Sequence, residues 1–456
     1  MSEKNKTKKR SSLSRRDFLK STAWAGIGTA LTSKMVPGNS LSPSQDKDPS
    51  DKINIAVIGT GTQGRVLIES CLRILNIHFQ AICDIWEYSQ RYASRYLQKY
   101  GFNVNIYEDY RELLEKEKNL DAVIIATPDW MHAEHANACM ERGLHVYCEK
   151  EMSNSLEKAR TMVKTSQRTG RLLQIGHQRR SNPRYIHAID RLIHEKNLLG
   201  QVSQSYAQWN RAKSEMLGWP EKYTIPPEKL DKYGYGSMTE FRNWRWFKKF
   251  GGGPLVDLGS HQIDLFSWVF GCNPSSVTSS GGIDYYDNRE WYDNVMAIYE
   301  FQTKHGTCRA LYQVQTITKY GGFYEAFMGD NGTIELSEVP QMGNWAMREA
   351  HAPEWDSLVN AGLLESETPP IQKLDTKNVF LDVRVTQEAG RWPLPVELAK
   401  PPHQPHLENF FNAIREGTPL TCPGEVGFET AVAVITANQA VESPRKIRFH
   451  KDQFNT

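Results

Sequence analysis

The feature that most constrains this chain is a glycine-rich turn between an apolar run and an amphipathic segment. The run at 53–58 is followed by Gly59-Thr60-Gly61-Thr62-Gln63-Gly64, and apolar residues at helical spacing come next. Where a strand turns into a helix, the first glycine permits the turn, the second admits a pyrophosphate and the third allows close packing. The helix N-terminus adds free N–H groups, so this stretch predicts a dinucleotide-binding site.

A carboxylate follows the next apolar run, at residues 79–83. Asp84 stands about 20 residues beyond the last glycine, where a side chain accepts hydrogen bonds from the ribose hydroxyls of NAD and repels the extra phosphate of NADP. NAD is therefore the expected cofactor, and NADP is the less favoured alternative. A helix N-cap is the other role open to Asp84.

The order of the predicted elements indicates two domains. Over 51–176, apolar runs alternate with amphipathic segments (88–100, 110–116, 131–142 and 156–169), which predicts a Rossmann domain with a doubly wound parallel sheet. Over 177–456, strand-like stretches follow one another with few helices, which predicts an α/β domain with an open, mostly antiparallel sheet. Helices at 406–415 and 425–442 are expected to return to the first domain.

The N-terminus has the pattern of an export signal. A basic stretch precedes Ser14-Arg15-Arg16-Asp17-Phe18-Leu19-Lys20, and a weakly apolar segment follows. This predicts a twin-arginine signal over 1–36, a linker over 37–50 and a periplasmic or otherwise exported protein, with retention as an anchor left open. A disordered basic tail is the alternative.

Composition argues against several other classes of protein. The 55 basic and 53 acidic side chains nearly balance, so no nucleic-acid partner is expected. No apolar run is long enough to span a membrane. The seven cysteines and the histidines show no metal-ligand spacing, so no metal is predicted.

Ligands of a parallel sheet bind at the carboxyl ends of its strands, so the residues after each run are informative. Three such groups are Thr127-Pro128-Asp129, Glu149-Lys150 and His177-Gln178. A second glycine-rich stretch, Gly251-Gly252-Gly253, opens a predicted helix at 256–270. That helix carries Asp257 and His261 four residues apart, hence on one face.

Taken together, these motifs resemble the Gfo/Idh/MocA oxidoreductases, the family of glucose–fructose oxidoreductase and inositol dehydrogenase. The resemblance runs from Ile53 to Phe449 and includes His132, in Thr-Pro-Asp-x-x-His, and His406-Leu407-Glu408-Asn409-Phe410. It implies NAD(P) between a Rossmann domain and an α/β domain with a large open sheet. It also implies a sugar or polyol substrate and a homo-oligomer formed through the sheet. Glu151 replaces the proline that usually follows the Glu-Lys pair.

Oxidation of a sugar hydroxyl requires a hydride acceptor and a base. Lys150 is predicted to remove the proton, since burial and the nicotinamide charge favour the neutral amine, or to hold the substrate oxygen. His261 is the other predicted base, with Asp257 or Asp264 as its orienting partner. The predicted catalytic residues are Lys150, Asp257 and His261.

The placement of these motifs also predicts which residues bind the cofactor and which bind the substrate. Arg180 has two possible roles, contact with the substrate or a structural ion pair. The predicted cofactor-binding residues are Gly59, Thr60, Gly61, Thr62, Gln63, Gly64, Asp84, Thr127, Pro128, Asp129, His132, Glu149, Lys150 and Gln178. The predicted substrate-binding residues are Lys150, His177, Arg179, Trp244, Asp257 and His261.

Three functions are compatible with these residues. The first is an exported oxidoreductase with tightly bound NAD that oxidises a ring hydroxyl of a sugar or glycoside, with C3 favoured, and returns the hydride to a second sugar. The second is an NAD-dependent glycosidase that needs one further acid or base, for which His177 or a tyrosine in 212–250 is a candidate. The third is a non-catalytic sugar-binding scaffold.

Overall fold

The computed structural model describes residues 51–339, 341–368 and 390–456. The predicted export signal and linker lie outside these ranges. No helix in the described ranges is long and apolar enough to cross a bilayer.

The first part of the chain forms a parallel sheet with helices on both faces, as predicted. Its six strands within the described residues are ordered β3-β2-β1-β4-β5-β6. Their core residues are apolar and buried on both faces, as all-parallel sheets require. The elements are β1 (Ile53–Ile58), α1 (Thr62–Cys71), β2 (Ile77–Cys83), α2 (Glu87–Lys99), β3 (Asn105–Tyr107), α3 (Tyr110–Lys116), β4 (Ala122–Ile125), α4 (Asp129–Glu141), β5 (His145–Cys148), α5 (Leu156–Thr169) and β6 (Leu173–Ile175).

The second part forms an open sheet that is antiparallel except where β7 pairs with β10. Its strands in the described ranges are ordered β14-β13-β12-β11-β7-β10-β9-β8-β15. The elements are α6 (Pro183–Ile186), a π-helix (His187–Glu195), β7 (Val202–Asn210), α7 (Pro227–Lys232), α8 (Met238–Arg242), α9 (Gly253–Phe270), β8 (Ser276–Gly282), β9 (Asn294–Thr303), β10 (Gly306–Gln315), β11 (Phe323–Gly329), β12 (Gly332–Leu336), β13 (Trp345–Arg348), α10 (Asp356–Asn360), β14 (Trp392–Pro393), α11 (Gln404–Glu416), α12 (Gly424–Glu442) and β15 (Ile447–Arg448).

Helix α9 links the two sheets. It packs on β7 and β10 with one side and against α12 with another. Gly259 lies so close to the Tyr312 ring of β10 that a Cβ there would stand 2.7 Å from it. Helix α11 places Leu407, Phe410 and Phe411 in the core of the first sheet. The C-terminal helices therefore pack between the two parts of the molecule.

Residues 212–250, which we call the clasp, contain short helices where the sequence showed little periodicity. They form an aromatic cluster with Trp86, which follows β2, and Trp130, at the start of α4. The Trp86 indole donates to the Tyr223 carbonyl at 2.6 Å. The Trp130 ring lies 5.5 Å from that of Phe250. Because β1 lies between β2 and β4, the clasp bridges the turn that follows β1.

The predicted α/β architecture is confirmed, but five strands were missed: the two-residue strands β14 and β15, and three longer ones. β3 has two exposed residues of three, so its sequence lacks an apolar run. β11 and β13 contain glutamate, arginine and small residues that only neighbouring strands bury. These strands form because β2, β7 and β12 provide adjacent pairing edges, which local sequence does not reveal.

Candidate active site

The glycine-rich turn has the geometry that a dinucleotide needs. Gly59 has a φ of +90°, and a Cβ there would meet the Ala126 carbonyl. A Cβ on Gly64 would stand 2.0 Å from the Gly59 oxygen. A Cβ on Gly61, in contrast, would meet nothing within 4 Å. Space is thus open at Gly61, where no side chain caps α1.

Asp84 fixes this turn from the end of β2. One carboxylate oxygen accepts from the Thr60 amide at 2.8 Å and the Thr60 hydroxyl at 3.1 Å, and the other accepts from the Trp86 amide at 2.9 Å. Burial raises the pKa of Asp84, although these bonds and the Arg65 guanidinium oppose the rise. The carboxyl group is therefore held against the glycine-rich turn.

The strand-end residues form a connected layer beyond the turn. Gln63 donates to Glu149 at 3.0 Å and lies 3.0 Å from the ring of His403. His132 lies 2.7 Å from the Thr127 carbonyl and 2.7 Å from the Glu151 carbonyl. Two carbonyl acceptors would need an imidazolium, but burial lowers the pKa of His132 to about 4, so one N–H serves one carbonyl at a time. His132 joins two loops of the chain and has no ring nitrogen free for a cofactor.

Lys150 reaches across to α9. Its ammonium donates to the Asp257 carbonyl and lies 3.2 Å from the Asp257 carboxylate, which Arg245 also approaches at 3.3 Å. Burial alone would raise the pKa of Asp257, but Lys150 and Arg245 hold it well below its usual range. Burial and the charge of Asp257 raise the pKa of nearby Asp129 to about 7. Lys150 is thus a positioned cation beside an ionised carboxylate.

Glu151, the residue in place of the usual proline, is fully buried. One oxygen accepts from the Met152 amide at 2.8 Å. The other has no partner among the residues that the structure describes. Burial raises the pKa of Glu151 to about 8, so a proton on this carboxyl is favoured at neutral pH. The substitution leaves Lys150 anchored, since Asp257 holds its ammonium.

Two histidines line the space beyond Lys150. The His177 and His261 rings are 6.2 Å apart, and Trp209 lies 5.8 Å from His261. Neither nitrogen of His177, nor Nδ1 of His261, has a partner within the described ranges. Burial lowers the pKa of His177 to about 4, and burial with the Lys150 and Arg179 charges lowers that of His261 well below its usual range. The neutral form of both rings is therefore favoured at neutral pH, and their unpartnered nitrogens can bond a ligand.

The expected orienting partners of His261 are engaged elsewhere, which corrects that part of the sequence analysis. Asp257 lies on the same helix face but is held by Lys150 and Arg245. Asp264 accepts both nitrogens of the Arg180 fork at 2.8 Å and bonds Thr430 at 2.9 Å. Cations compete better than a neutral ring for these carboxylates. The Arg180 alternative is therefore resolved as an ion pair.

Arg179 and Gln178 belong to a buried network on one side of the site. The Arg179 guanidinium pairs with Glu325 and, at 3.1 Å, with Glu338, while Gln178 donates to Glu338 at 3.2 Å. Nη2 of Arg179 and the side-chain oxygen of Gln178 remain buried without partners in the described part of the chain. Nη2 of Arg179 could donate a hydrogen bond to a ligand that binds near the end of β6, and the Gln178 oxygen could accept one.

Trp244, a predicted substrate-binding residue, lies beside the glycines that precede α9. It packs in the clasp against Gly251, and the Arg245 guanidinium covers its ring at 4.2 Å. Trp209 instead lies next to His261. Arg245 is a residue of this site that the sequence did not predict, because only the fold brings it to Asp257.

These features define a Rossmann-fold nucleotide-binding protein with a cation–imidazole site at the carboxyl ends of its strands. The residues fit a dinucleotide, because the open space at Gly61 and the uncapped helix are what a pyrophosphate requires. The family model for the "Oxidoreductase family, NAD-binding Rossmann fold" matches residues 53–177, and the "GFO/IDH/MocA C-terminal domain" matches residues 230–335. The chain belongs to the Gfo/Idh/MocA oxidoreductase family.

Comparison with individual proteins agrees with that assignment. The chain is 30% identical over 224 residues to D-glucoside 3-dehydrogenase of Escherichia coli, an alignment that covers 49% of this chain and 55% of that relative. It is 31% identical over 164 residues to a glycosyl hydrolase family 109 protein of Solibacter usitatus, covering 35% and 37%. The chain thus spans about half, or less, of these relatives.

Among solved structures, the fold is similar to the WlbA dehydrogenase of Bordetella pertussis, crystallised with NADH and UDP-GlcNAcA. The TM-score is 0.63 at 18% identity, covering 88% of this chain and all of the other. At that identity the likeness supports the fold alone.

Proposed function

We propose that this protein is an NAD-dependent oxidoreductase that oxidises a ring hydroxyl of a sugar or glycoside, with C3 as the favoured carbon, and returns the hydride to a second sugar. The observation that carries the proposal is that Lys150, after β5, lies close enough to His177, after β6, and His261, on α9, for its charge to add to burial in lowering the pKa of both rings, which have buried nitrogens without partners among the described residues. The similarity to a glucoside 3-dehydrogenase supports the choice of C3.

The chain divides the chemistry between a cation and a neutral base. A nicotinamide cofactor held by the turn from Gly59 to Gly64 would supply the hydride acceptor for the carbon that is oxidised. Lys150, whose ammonium is positioned by Asp257, holds the substrate oxygen by donating a hydrogen bond. His261 is neutral and accepts the hydroxyl proton, and the same groups return it when the second sugar is reduced.

Two observations support tight retention of the nucleotide. The clasp contacts both sides of the β1 turn, through Trp86 and Trp130, so a bound nucleotide would be covered. The sequence at 14–20 favours export by the twin-arginine route, which carries folded proteins into a compartment without free nucleotide. A carrier of hydride between two sugars needs no exchange of its cofactor.

We propose NAD over NADP because Asp84 lies beside the glycine-rich turn, where the adenosine ribose of a dinucleotide would bind. A carboxylate there repels a ribose phosphate. Arg65 is the nearest opposing charge, but its guanidinium is stacked 3.8 Å from the Tyr92 ring. Denaturing the purified protein and identifying the released nucleotide tests this choice, and recovery of NADP would reverse it.

A homo-oligomer formed through the open sheet is also proposed. Met296 and Ile298 of β9 are 55% and 48% exposed on the sheet face opposite α9. Apolar side chains in that setting favour a protein partner. Light scattering of Ile298→Glu against the wild type tests it: dissociation supports the sheet interface, and an unchanged mass opposes it.

The second candidate is an NAD-dependent glycosidase, favoured by His177. Elimination after transient oxidation at C3 needs a further group to remove the neighbouring proton. His177 is buried, has two free ring nitrogens and lies beside His261. The similarity to a glycosyl hydrolase family 109 protein supports the same alternative.

One experiment separates these functions. Purified protein is incubated with a panel of methyl and aryl glycosides, and mass spectrometry follows the products. A glycoside lighter by a pair of hydrogens supports the oxidoreductase. A released aglycone without net reduced cofactor supports the glycosidase. Bound nucleotide with no turnover of any glycoside would revive the scaffold and overturn the first proposal.

A further inference from the structure

A strand of the second sheet brings an arginine to the edge of the proposed site. Arg211 directly follows β7, two residues after Trp209, so the two side chains share a face of the sheet. The Arg211 guanidinium lies 5.5 Å from the Trp209 ring, and that ring lies 5.8 Å from His261. Arg211 therefore borders the space in front of His261.

Arg211 has no partner for its charge in the described part of the chain. It forms no side-chain hydrogen bond or ion pair there, and its Nε is buried without an acceptor. Arg289 also has buried nitrogens without acceptors, but its Nη2 donates to the Ser214 carbonyl at 2.7 Å, whereas no side-chain nitrogen of Arg211 has an acceptor among the described residues. A guanidinium with no acceptor leaves its fork of donors to a ligand.

The surroundings of Arg211 carry excess positive charge. Asp257 is the carboxylate whose charge acts on Arg211, and it already pairs with both Lys150 and Arg245. Two neighbouring groups are also free among the described residues, the Tyr312 hydroxyl and the Trp209 indole nitrogen.

We propose that Arg211 binds an anionic substituent on the sugar, a carboxylate or a sulfate ester, and that the enzyme is selective for acidic sugars or glycosides. The inference rests on the proposed function, because it assigns the substrate class of that same site. Arg211 supplies a planar fork that matches either anion, and Trp209 holds the fork in place. The group is specificity-determining and takes no part in hydride or proton transfer.

The test compares three ligands: methyl β-glucuronide, methyl glucoside 6-sulfate and neutral methyl glucoside. Initial rates are measured with the wild type, Arg211→Gln, and Lys213→Gln as a matched control. Lys213 is a nearby exposed cation, 53% accessible, so its removal reports the effect of charge alone. Binding of each ligand to enzyme loaded with NADH is measured by calorimetry.

We expect the wild type to prefer at least one anionic ligand, and Arg211→Gln to lose about 10- to 100-fold in kcat/KM for it, as for a lost hydrogen bond to a charged group. Loss on methyl glucoside should stay below about threefold, and Lys213→Gln should resemble the wild type. The anionic ligand whose kcat/KM falls in Arg211→Gln shows whether Arg211 binds a carboxylate or a sulfate.

Equal loss on the neutral and anionic ligands would mean that Arg211 is structural, and the inference would fail. Turnover of methyl glucoside without preference for either anion would reject it while leaving the proposed function intact. If nothing is turned over, the proposed function fails, and calorimetry still decides the inference: equal binding of charged and neutral ligands would overturn it.

Discussion

The nucleotide turn and the substrate space differ in how much of their polar surface is already satisfied. At the turn, Thr60 and Asp84 bond each other, and Gly59 and Gly64 are in backbone contact. In front of Lys150, by contrast, His177, His261 and Arg211 present buried atoms that have no partner in the described ranges. In the first region the side chains satisfy one another and only the backbone at Gly61 is left open to a nucleotide, while in the second the side chains themselves are left for a ligand to satisfy.

This difference separates residues that maintain the fold from residues that perform the reaction. A buried polar atom without a partner costs about 1–3 kcal/mol. Several such atoms gathered at one end of a sheet therefore indicate that substrate, cofactor or water fills the space. Changes at the turn should act on stability and nucleotide binding, whereas changes in the substrate space should act on turnover.

The largest expected effect is at Lys150. Lys150→Met should retain the fold and the bound nucleotide but lose about 100- to 10,000-fold in kcat, the usual contribution of a positioned proton donor or base. Lys164→Met, on the exposed face of α5, is the matched control and should behave as the wild type. Steady-state kinetics and the nucleotide content of each purified variant test this prediction. Turnover by Lys150→Met at the wild-type rate would contradict the assignment of Lys150 to the reaction.

The pH dependence should report His261. Because the pKa of His261 is lowered well below 6.5, the ring is neutral at ordinary pH, and kcat/KM should fall only in acid far below 6.5. That acid limb should disappear in His261→Asn, with about 100-fold lower activity. If kcat/KM instead falls below about pH 7, and this fall disappears in Asp129→Asn, the titrating group is Asp129, whose pKa is raised to about 7.

Within the turn, Gly64 and Gly61 are expected to differ in their effects on stability and on nucleotide binding. Gly64→Ala should destabilise the protein by about 3 kcal/mol, because its Cβ would overlap the Gly59 carbonyl. Gly61→Ala should leave stability within about 0.5 kcal/mol, yet weaken nucleotide binding about tenfold, because its Cβ would fill the open space. Thermal melts of apoprotein and nucleotide titrations measure both. Equal effects of the two substitutions on stability would be inconsistent with an open cradle at Gly61.

The smallest effect is expected in the clasp. Lys229→Gln removes one of the two ion pairs that join the clasp to Glu108, a partly exposed contact worth up to about 1 kcal/mol, and leaves the longer one to Lys232. Nucleotide release should become about two- to fivefold faster without a matching change in kcat. Stopped-flow displacement of bound NADH measures the release rate, with Lys222→Gln, outside this ion pair, as the control. Unchanged release would remove the support for the clasp as a cover.

Much of the first region could be predicted from sequence because its determinants are adjacent. The turn from Gly59 to Gly64, the strand-end Lys150 and the alternation of strands and helices are local patterns. The substrate space is assembled from residues far apart in the chain, such as Arg211, His261 and Glu325, and their pairings depend on tertiary packing. The partners of Asp257 and Asp264 were mistaken for this reason, since only the fold brings Lys150 and Arg180 to them.

The most direct measurement is a single-turnover reaction of the NAD-loaded protein with a glycoside deuterated at C3, followed by the absorbance of the reduced nicotinamide. The account predicts reduction that is slowed by the deuterium in the wild type and abolished in Lys150→Met. Reduction at the wild-type rate in that variant, or no isotope effect when turnover occurs, would contradict it.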